Sequence, residues 1–140
     1  MVSLSPVALD AFLSDKDTSP IIMVNLLRFQ PDGGRARYFD YLDLAKPILA
    51  RFGAKILLGG DALALLTLGE KDGWDAVLLV EYPERSAFKA MIGDPEYQRA
   101  FKVGESALAD IMLQPVKLFD NLQEAGSSDV DRLRNAEMLS

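Results

Sequence analysis

Asn25 interrupts an apolar run, IIMVNLLRF at residues 21–29. An amide set in such a strand must find hydrogen-bond partners or cost about 1–3 kcal/mol. It reads either as a structural group that pins a neighbouring loop or helix end, or as a pocket-facing group that orients a ligand. Glu81 lies at the far end of a second apolar run, AVLLVEY at residues 76–82, and shares strand parity with Asp75, Val77 and Leu79. Turned into a semi-enclosed cavity, its carboxyl would have the raised pKa of a general base; turned to water or to a lysine, it is an ordinary surface acid. Arg28 and Asp75 stand near the ends of these two runs, where antiparallel pairing would set them face to face as an ion pair. Tyr38, Tyr41, Tyr97 and Trp74 complete the set, as core packing or as the lining of a pocket between helices and sheet. The ligand-binding candidates are thus Asn25, Arg28, Tyr38, Tyr41, Trp74, Glu81 and Tyr97, and the catalytic candidates are Asn25 and Glu81.

Composition narrows the chemistry further. The chain has no histidine and no cysteine, so it can build neither an imidazole base nor a thiolate, and disulfides are excluded. The acids Asp15, Asp17, Asp61, Glu70 and Asp72 are scattered over turns without the spacing of a calcium loop, and no metal or cofactor is expected. A net charge of -6 with no lysine or arginine cluster argues against nucleic acid as a partner. No stretch approaches the roughly 18 apolar residues of a membrane span, and MVSLSPVALD lacks the features of a secretory leader. The expectation is a cytoplasmic protein with no membrane partner.

Periodicity places the elements that must position these residues. Ser5 and Pro6 read as the cap and first residue of a short leading helix, with Leu4, Ala8, Ala11 and Phe12 on one face. Residues 21–29 read as a strand with two mostly apolar faces: Ile21, Met23, Asn25, Leu27 and Phe29 on one, Ile22, Val24, Leu26 and Arg28 on the other. After QPDGG, the spacing of Tyr38, Tyr41, Leu42, Ala45, Ile48, Leu49 and Phe52 marks a helix ended by Gly53 and bent by Pro47. KILLGGDALALLTL at residues 55–68 follows, then a turn, then the strand at 76–82. A short helix comes next, and Asp94-Pro95-Glu96 starts another, with Asp94 as its cap. IMLQPVKLF at residues 111–119 is the last strand, and Pro115 suits an edge position.

The order helix, β, α, β, β, α, β describes an α+β chain. Two βαβ crossovers about one hairpin give a ferredoxin-like, four-stranded antiparallel sheet in the order 4-1-3-2 with helices on one face. The whole reads as a single domain over residues 1–140: a leading helix and turn at 1–19, a core at 20–118, and a tail from 120. The tail reads either as a helix carrying Val130, Leu133 and Met138 or as a disordered segment. Strands that are apolar on both sides need a second cover, and the sheet of a second copy supplies it. The expected partner is therefore a twin chain, in a homodimer joined through the sheet faces.

VNLLRFQPDG, Tyr38 and Tyr41, the glycine pair at 59 and 60, WDAVLLVEYP, DPEY at 94–97 and ALAD at 107–110 occur in an order that resembles domain-of-unknown-function family 1330, within the dimeric α/β-barrel superfamily. The resemblance spans roughly residues 20–118 and implies a ferredoxin-like protomer whose sheet packs on its twin to form a barrel. It implies no established activity. The expected function is small-molecule binding between sheet and helices. The alternative, by analogy with superfamily members, is a cofactor-independent monooxygenase or isomerase acting on a small aromatic or lactone-like substrate. In that version Asn25 would stabilise an oxyanion and Glu81 or a tyrosine would shuttle a proton. The resemblance also implies one long second strand over residues 54–69, bent at Gly59-Gly60, although a hairpin at the glycines stays open. A phosphate cradle is disfavoured, because no lysine follows and a strand stands where a helix should begin. One departure is visible: Gly104-Glu105 occupies a place where the resemblance leads one to expect a positive charge.

Overall fold

The computed structural model describes residues 4–69 and 72–120. Its elements are α1 (Pro6–Ser14), β1 (Ile21–Phe29), α2 (Gly34–Arg51), β2 (Lys55–Asp61), β3 (Ala76–Tyr82), α3 (Arg85–Ile92), α4 (Pro95–Ala107) and β4 (Leu108–Lys117). The helix starts follow their capping chemistry: Ser5 Oγ accepts from the Ala8 N–H at 3.2 Å, and the Asp94 carboxylate accepts from the Tyr97 N–H at 3.0 Å. Pro6 and Pro95 follow these caps, where a missing N–H costs nothing. α2 runs on through Pro47 and buries Tyr38, Tyr41, Leu42, Ala45, Ile48 and Leu49 on one face, as their spacing requires. Among the described residues no helix is long and apolar enough to cross a membrane. The readings of Val130, Leu133 and Met138 lie outside the described residues.

The four strands pair antiparallel in the order β2-β3-β1-β4, which is the expected 4-1-3-2 taken from the other end. Registers sort the side chains. Asn25 stands opposite Leu78 on β3 and Leu113 on β4, so Met23, Asn25, Leu27, Leu78, Val80 and Tyr82 share one face. The helices cover that face, with Phe29 against Tyr38 of α2 at 5.7 Å and Tyr82 against Phe88 of α3 at 5.3 Å between ring centres. α1 joins the same layer through Phe12, 6.0 Å from Phe88. The other face carries Val24, Leu26, Val77, Leu79 and Met112, and among the described residues no helix lies on it. β4 is an edge strand, and Pro115 sits in it opposite Met23. β4 begins at Leu108 and ends at Lys117, so the expected span of 111–119 was set too late.

Two expectations about the middle of the chain need correction. Gly59 and Gly60 are neither a hairpin turn nor the bend of a long strand; they are ordinary ladder residues opposite Leu78 and Val77. The irregularity lies earlier, at Leu57, which is skipped between the pairs Ile56↔Val80 and Leu58↔Leu79. The strand also stops at Asp61 and does not reach residue 69. Asp61 pairs with Ala76, the first residue of β3, and one further bond, from the Ala62 N–H to the Asp75 carbonyl at 2.8 Å, exhausts the neighbouring backbone. Beyond it Leu63, Leu66 and Leu68 are 89%, 99% and 96% exposed.

The Arg28–Asp75 ion pair is the second correction. Extending the β1–β3 register by one residue does bring the two opposite each other, but β3 starts only at Ala76. Asp75 folds back instead: its carboxylate accepts from the Phe29 N–H at 2.9 Å, and its own N–H donates to the Leu27 carbonyl at 2.8 Å. Arg28 takes the carboxylate across from it on β4, Asp110, at 3.4 Å and donates to the Gly73 carbonyl at 2.9 Å.

Candidate functional site

Between the helix-covered face of the sheet and helices α2 and α4 lies a cavity of about 560 Å³. Strand alternation points Asn25 into it from β1, Leu78, Val80 and Tyr82 from β3, and Ile111 and Leu113 from β4. α2 contributes Tyr38, then Tyr41 and Leu42 one turn on, and Leu49 two turns beyond Leu42, and α4 contributes Tyr97 and Phe101. All four tyrosines of the chain therefore meet here. Gln98, Lys102 and Glu105, exposed on successive turns of α4, form a polar rim. A smaller cavity of about 200 Å³ adjoins along α1 and shares Met23, Phe88 and Leu113 with the larger one.

The polar groups inside are few and uncharged. Asn25 Nδ2 donates to the Met23 carbonyl at 3.1 Å and to the Leu78 carbonyl at 3.3 Å. The Tyr41 and Tyr97 hydroxyls share one hydrogen at 2.9 Å. Tyr82 Oη donates to Met91 Sδ at 3.8 Å. Burial pushes the phenol pKa values of Tyr38, Tyr41, Tyr82 and Tyr97 up, and nearby tyrosines add to the rise for the first three; in Tyr97 the bond with Tyr41 works against it. These hydroxyls stay protonated across the physiological range.

Gly104 has a definite part in this geometry. A Cβ placed on it would lie 2.9 Å from two carbons of the Tyr41 ring, so the bare backbone of α4 is what lets that ring pack where it does. Gly104 is thus a contact surface for a cavity residue.

Of the residues singled out from the sequence, the fold brings together Asn25, Tyr38, Tyr41 and Tyr97. It does not bring in Glu81, Arg28 or Trp74. Glu81 stands opposite Ile22 on the uncovered face and pairs with Lys55 at 3.5 Å, on the far side of the sheet from the cavity. Arg28 lies on that face too, its guanidinium 4.5 Å above the Trp74 ring. An oxyanion role for Asn25 would require a free amide N–H, and two carbonyl partners account for both of its hydrogens. Proton transfer by Glu81 would require it to reach a site from which the sheet separates it. Tyr82 was overlooked, although its parity with Leu78 and Val80 was a usable signal once β3 was recognised as a strand.

Among curated proteins no match to the chain was found. Among solved structures, a protein of unknown function from Rhodopseudomonas palustris is similar at 30% identity and a TM-score of 0.76, over 84% of this chain and 96% of that one. A dimeric ferredoxin-like protein of unknown function from Jannaschia sp. CCS1 aligns at 10% identity with a TM-score of 0.57, over 71% of this chain and 100% of its own. A candidate antibiotic biosynthesis monooxygenase from Bacteroides thetaiotaomicron aligns at 13% identity with a TM-score of 0.53, over 72% and 90%. The last two share the fold and carry no more than that. The model of the family described as domain of unknown function DUF1330 matches residues 33–114, a stretch that holds α2, β2, β3, α3, α4 and most of β4, and the chain belongs to that family.

Proposed function

We propose that the protein is a homodimer that binds a small, largely apolar molecule in the cavity between its helices and its sheet. One observation carries this reading: an aliphatic and aromatic chamber of about 560 Å³ on which an amide and a pair of hydroxyls converge. Its size falls within the roughly 300–1,000 Å³ of small-molecule sites, and its makeup, apolar walls with a few placed polar groups, is theirs as well. Pairing of two chains is supported by the uncovered sheet face, whose apolar centre includes Met112 at 45% and Leu58 at 53% exposure. The dimeric state of the Jannaschia protein, which shares the fold, favours the same arrangement.

Thermal unfolding in the presence of a panel of neutral aromatic and alicyclic compounds tests the binding reading. A binder raises the midpoint of the wild type by mass action, and the rise disappears in Leu113→Trp, where an indole occupies the chamber. A flat response across the panel, or a rise that survives in the folded Leu113→Trp variant, overturns it.

A further inference from the structure

We infer that the cavity selects a neutral ligand that donates a hydrogen bond, an apolar body bearing a hydroxyl whose O–H is accepted by Asn25 Oδ1; this rests on the binding reading above. The inference begins with which way the amide is turned. Its inward partners are two backbone carbonyl oxygens, of Met23 at 3.1 Å and Leu78 at 3.3 Å, and both only accept. Turning the amide over would set Oδ1 against two other oxygens, so Nδ2 must be the atom that faces them. Both hydrogens are thereby engaged, and Oδ1 has no protein donor among the described residues. Asn25 lines the cavity, so what it offers an occupant is an acceptor and not a donor.

Charge is decided by the remaining walls. The cavity's charged lining residues, Lys102 and Glu105, are both on the exposed rim and have opposite signs, so neither end of the chamber offers a buried counter-ion. A carboxylate or an ammonium taken inside would lose its hydration with nothing to replace it. The tyrosine hydroxyls report the same environment, since burial holds them in the neutral form. A hydroxyl meets the conditions: it is neutral, it donates to Oδ1, and its own oxygen can accept from another donor. The Tyr41–Tyr97 pair keeps one hydrogen that is not used between its two oxygens, available to an acceptor on the ligand.

Four probes of one shape separate the possibilities: 4-phenylphenol, 4-methoxybiphenyl, biphenyl and biphenyl-4-carboxylate, titrated calorimetrically into wild type, Asn25→Leu and Leu113→Trp. In the wild type the phenol should bind about 10- to 100-fold more tightly than the methyl ether, which leaves Oδ1 unpaired, and more tightly than the carboxylate. In Asn25→Leu the advantage of the phenol over the methyl ether should vanish. The wild-type comparison of phenol with ether decides the matter even where that variant fails to fold. Equal affinity of phenol and ether, or preference for the carboxylate, with binding abolished by Leu113→Trp, overturns this inference and leaves the binding reading intact. Binding of none of the four, or binding that persists in Leu113→Trp, removes the binding reading and this inference with it.

Discussion

On the helix side of the sheet, β1 presents Met23, Asn25 and Leu27, and β3 presents Leu78, Val80 and Tyr82; on the opposite side the same strands present Val24, Leu26, Leu79 and Glu81. Both sides are mainly apolar, yet they place their polar groups differently. The covered side keeps uncharged groups in its interior, an amide and four phenols, around a chamber. The uncovered side keeps an apolar centre and puts ion pairs at its two ends, Arg28 with Asp110 at one and Lys55 with Glu81 at the other. A dry centre within a charged border is the anatomy of a contact between proteins, whereas placed neutral groups in an apolar hollow are the anatomy of a ligand site. The two sides of one strand therefore carry different chemistry.

Adjacent positions on β1 give the sharpest way to break that contrast. Leu27 is 1% exposed beneath the helices, and Leu26 lies on the uncovered side. Aspartate at position 27 would place an unpaired charge in the core, costing about 3–5 kcal/mol, and Leu27→Asp should unfold at room temperature by circular dichroism whatever the protein concentration. Leu26→Asp should keep its helical signal and lose its partner, with association weakened about 100-fold or more, read by analytical ultracentrifugation. A wild type that sediments as a monomer at micromolar concentration, or a Leu26→Asp protein that still dimerises, would remove the distinction.

The second test uses alkali. The folded pKa values of Tyr38, Tyr41 and Tyr82 lie above the ordinary phenol value, mainly because of burial. A raised folded pKa leaves stability untouched below the unfolded value of about 10 and removes it as pH climbs from there towards the folded value. Each such tyrosine should cost up to about 1.4 kcal/mol per pH unit in that window. Urea midpoints should thus be level from neutral pH to about 10 and fall beyond it, with tyrosinate absorbance appearing only together with unfolding. Tyrosinate absorbance in the still-folded protein near the ordinary phenol value would show a wet chamber.

The smallest effect concerns Gly104, and there the sign matters more than the size. Helix propensity alone makes Gly104→Ala stabilising by about 1 kcal/mol. The 2.9 Å approach to the Tyr41 ring predicts the opposite, since overpacking costs about 1–3 kcal/mol, and a net loss of roughly 1 kcal/mol is expected in urea unfolding. A gain would mean that Tyr41 gives way easily and that the chamber wall is soft.

Strand alternation and helix spacing made the architecture legible, because apolar residues recur at the period each element needs. Registers were not legible in the same way. For Glu81 the sequence leaves open a cavity-facing base or a surface acid paired with a lysine, and choosing the second, with Lys55 as partner, takes knowledge of which sheet face the helices cover, which the chain writes nowhere locally. The Arg28–Asp75 reading has the correct offset, but Asp75 lies just before β3, where its carboxylate turns to the Phe29 N–H and leaves Arg28 to Asp110. The leucines at 63, 65, 66 and 68 have the composition of a strand, but a strand lasts only as long as its neighbour, and β3 has none to offer past Ala76. Asn25 stands out from the cost of an amide in an apolar strand; which of its atoms is left to face the cavity follows only from the positions of the Met23 and Leu78 carbonyls.

Pro115 and the skipped residue Leu57 lie on the two outermost strands, β4 and β2. A stray strand trying to lengthen the sheet sideways meets an absent N–H at one rim and a broken hydrogen-bond rhythm at the other. Ribbon-like growth, the first step towards a fibril, is discouraged at both. Encounters between copies are left the broad greasy side instead, and in the dimer proposed above two chains related by a two-fold axis would hide the same surface from each other and leave no third chain a place to add.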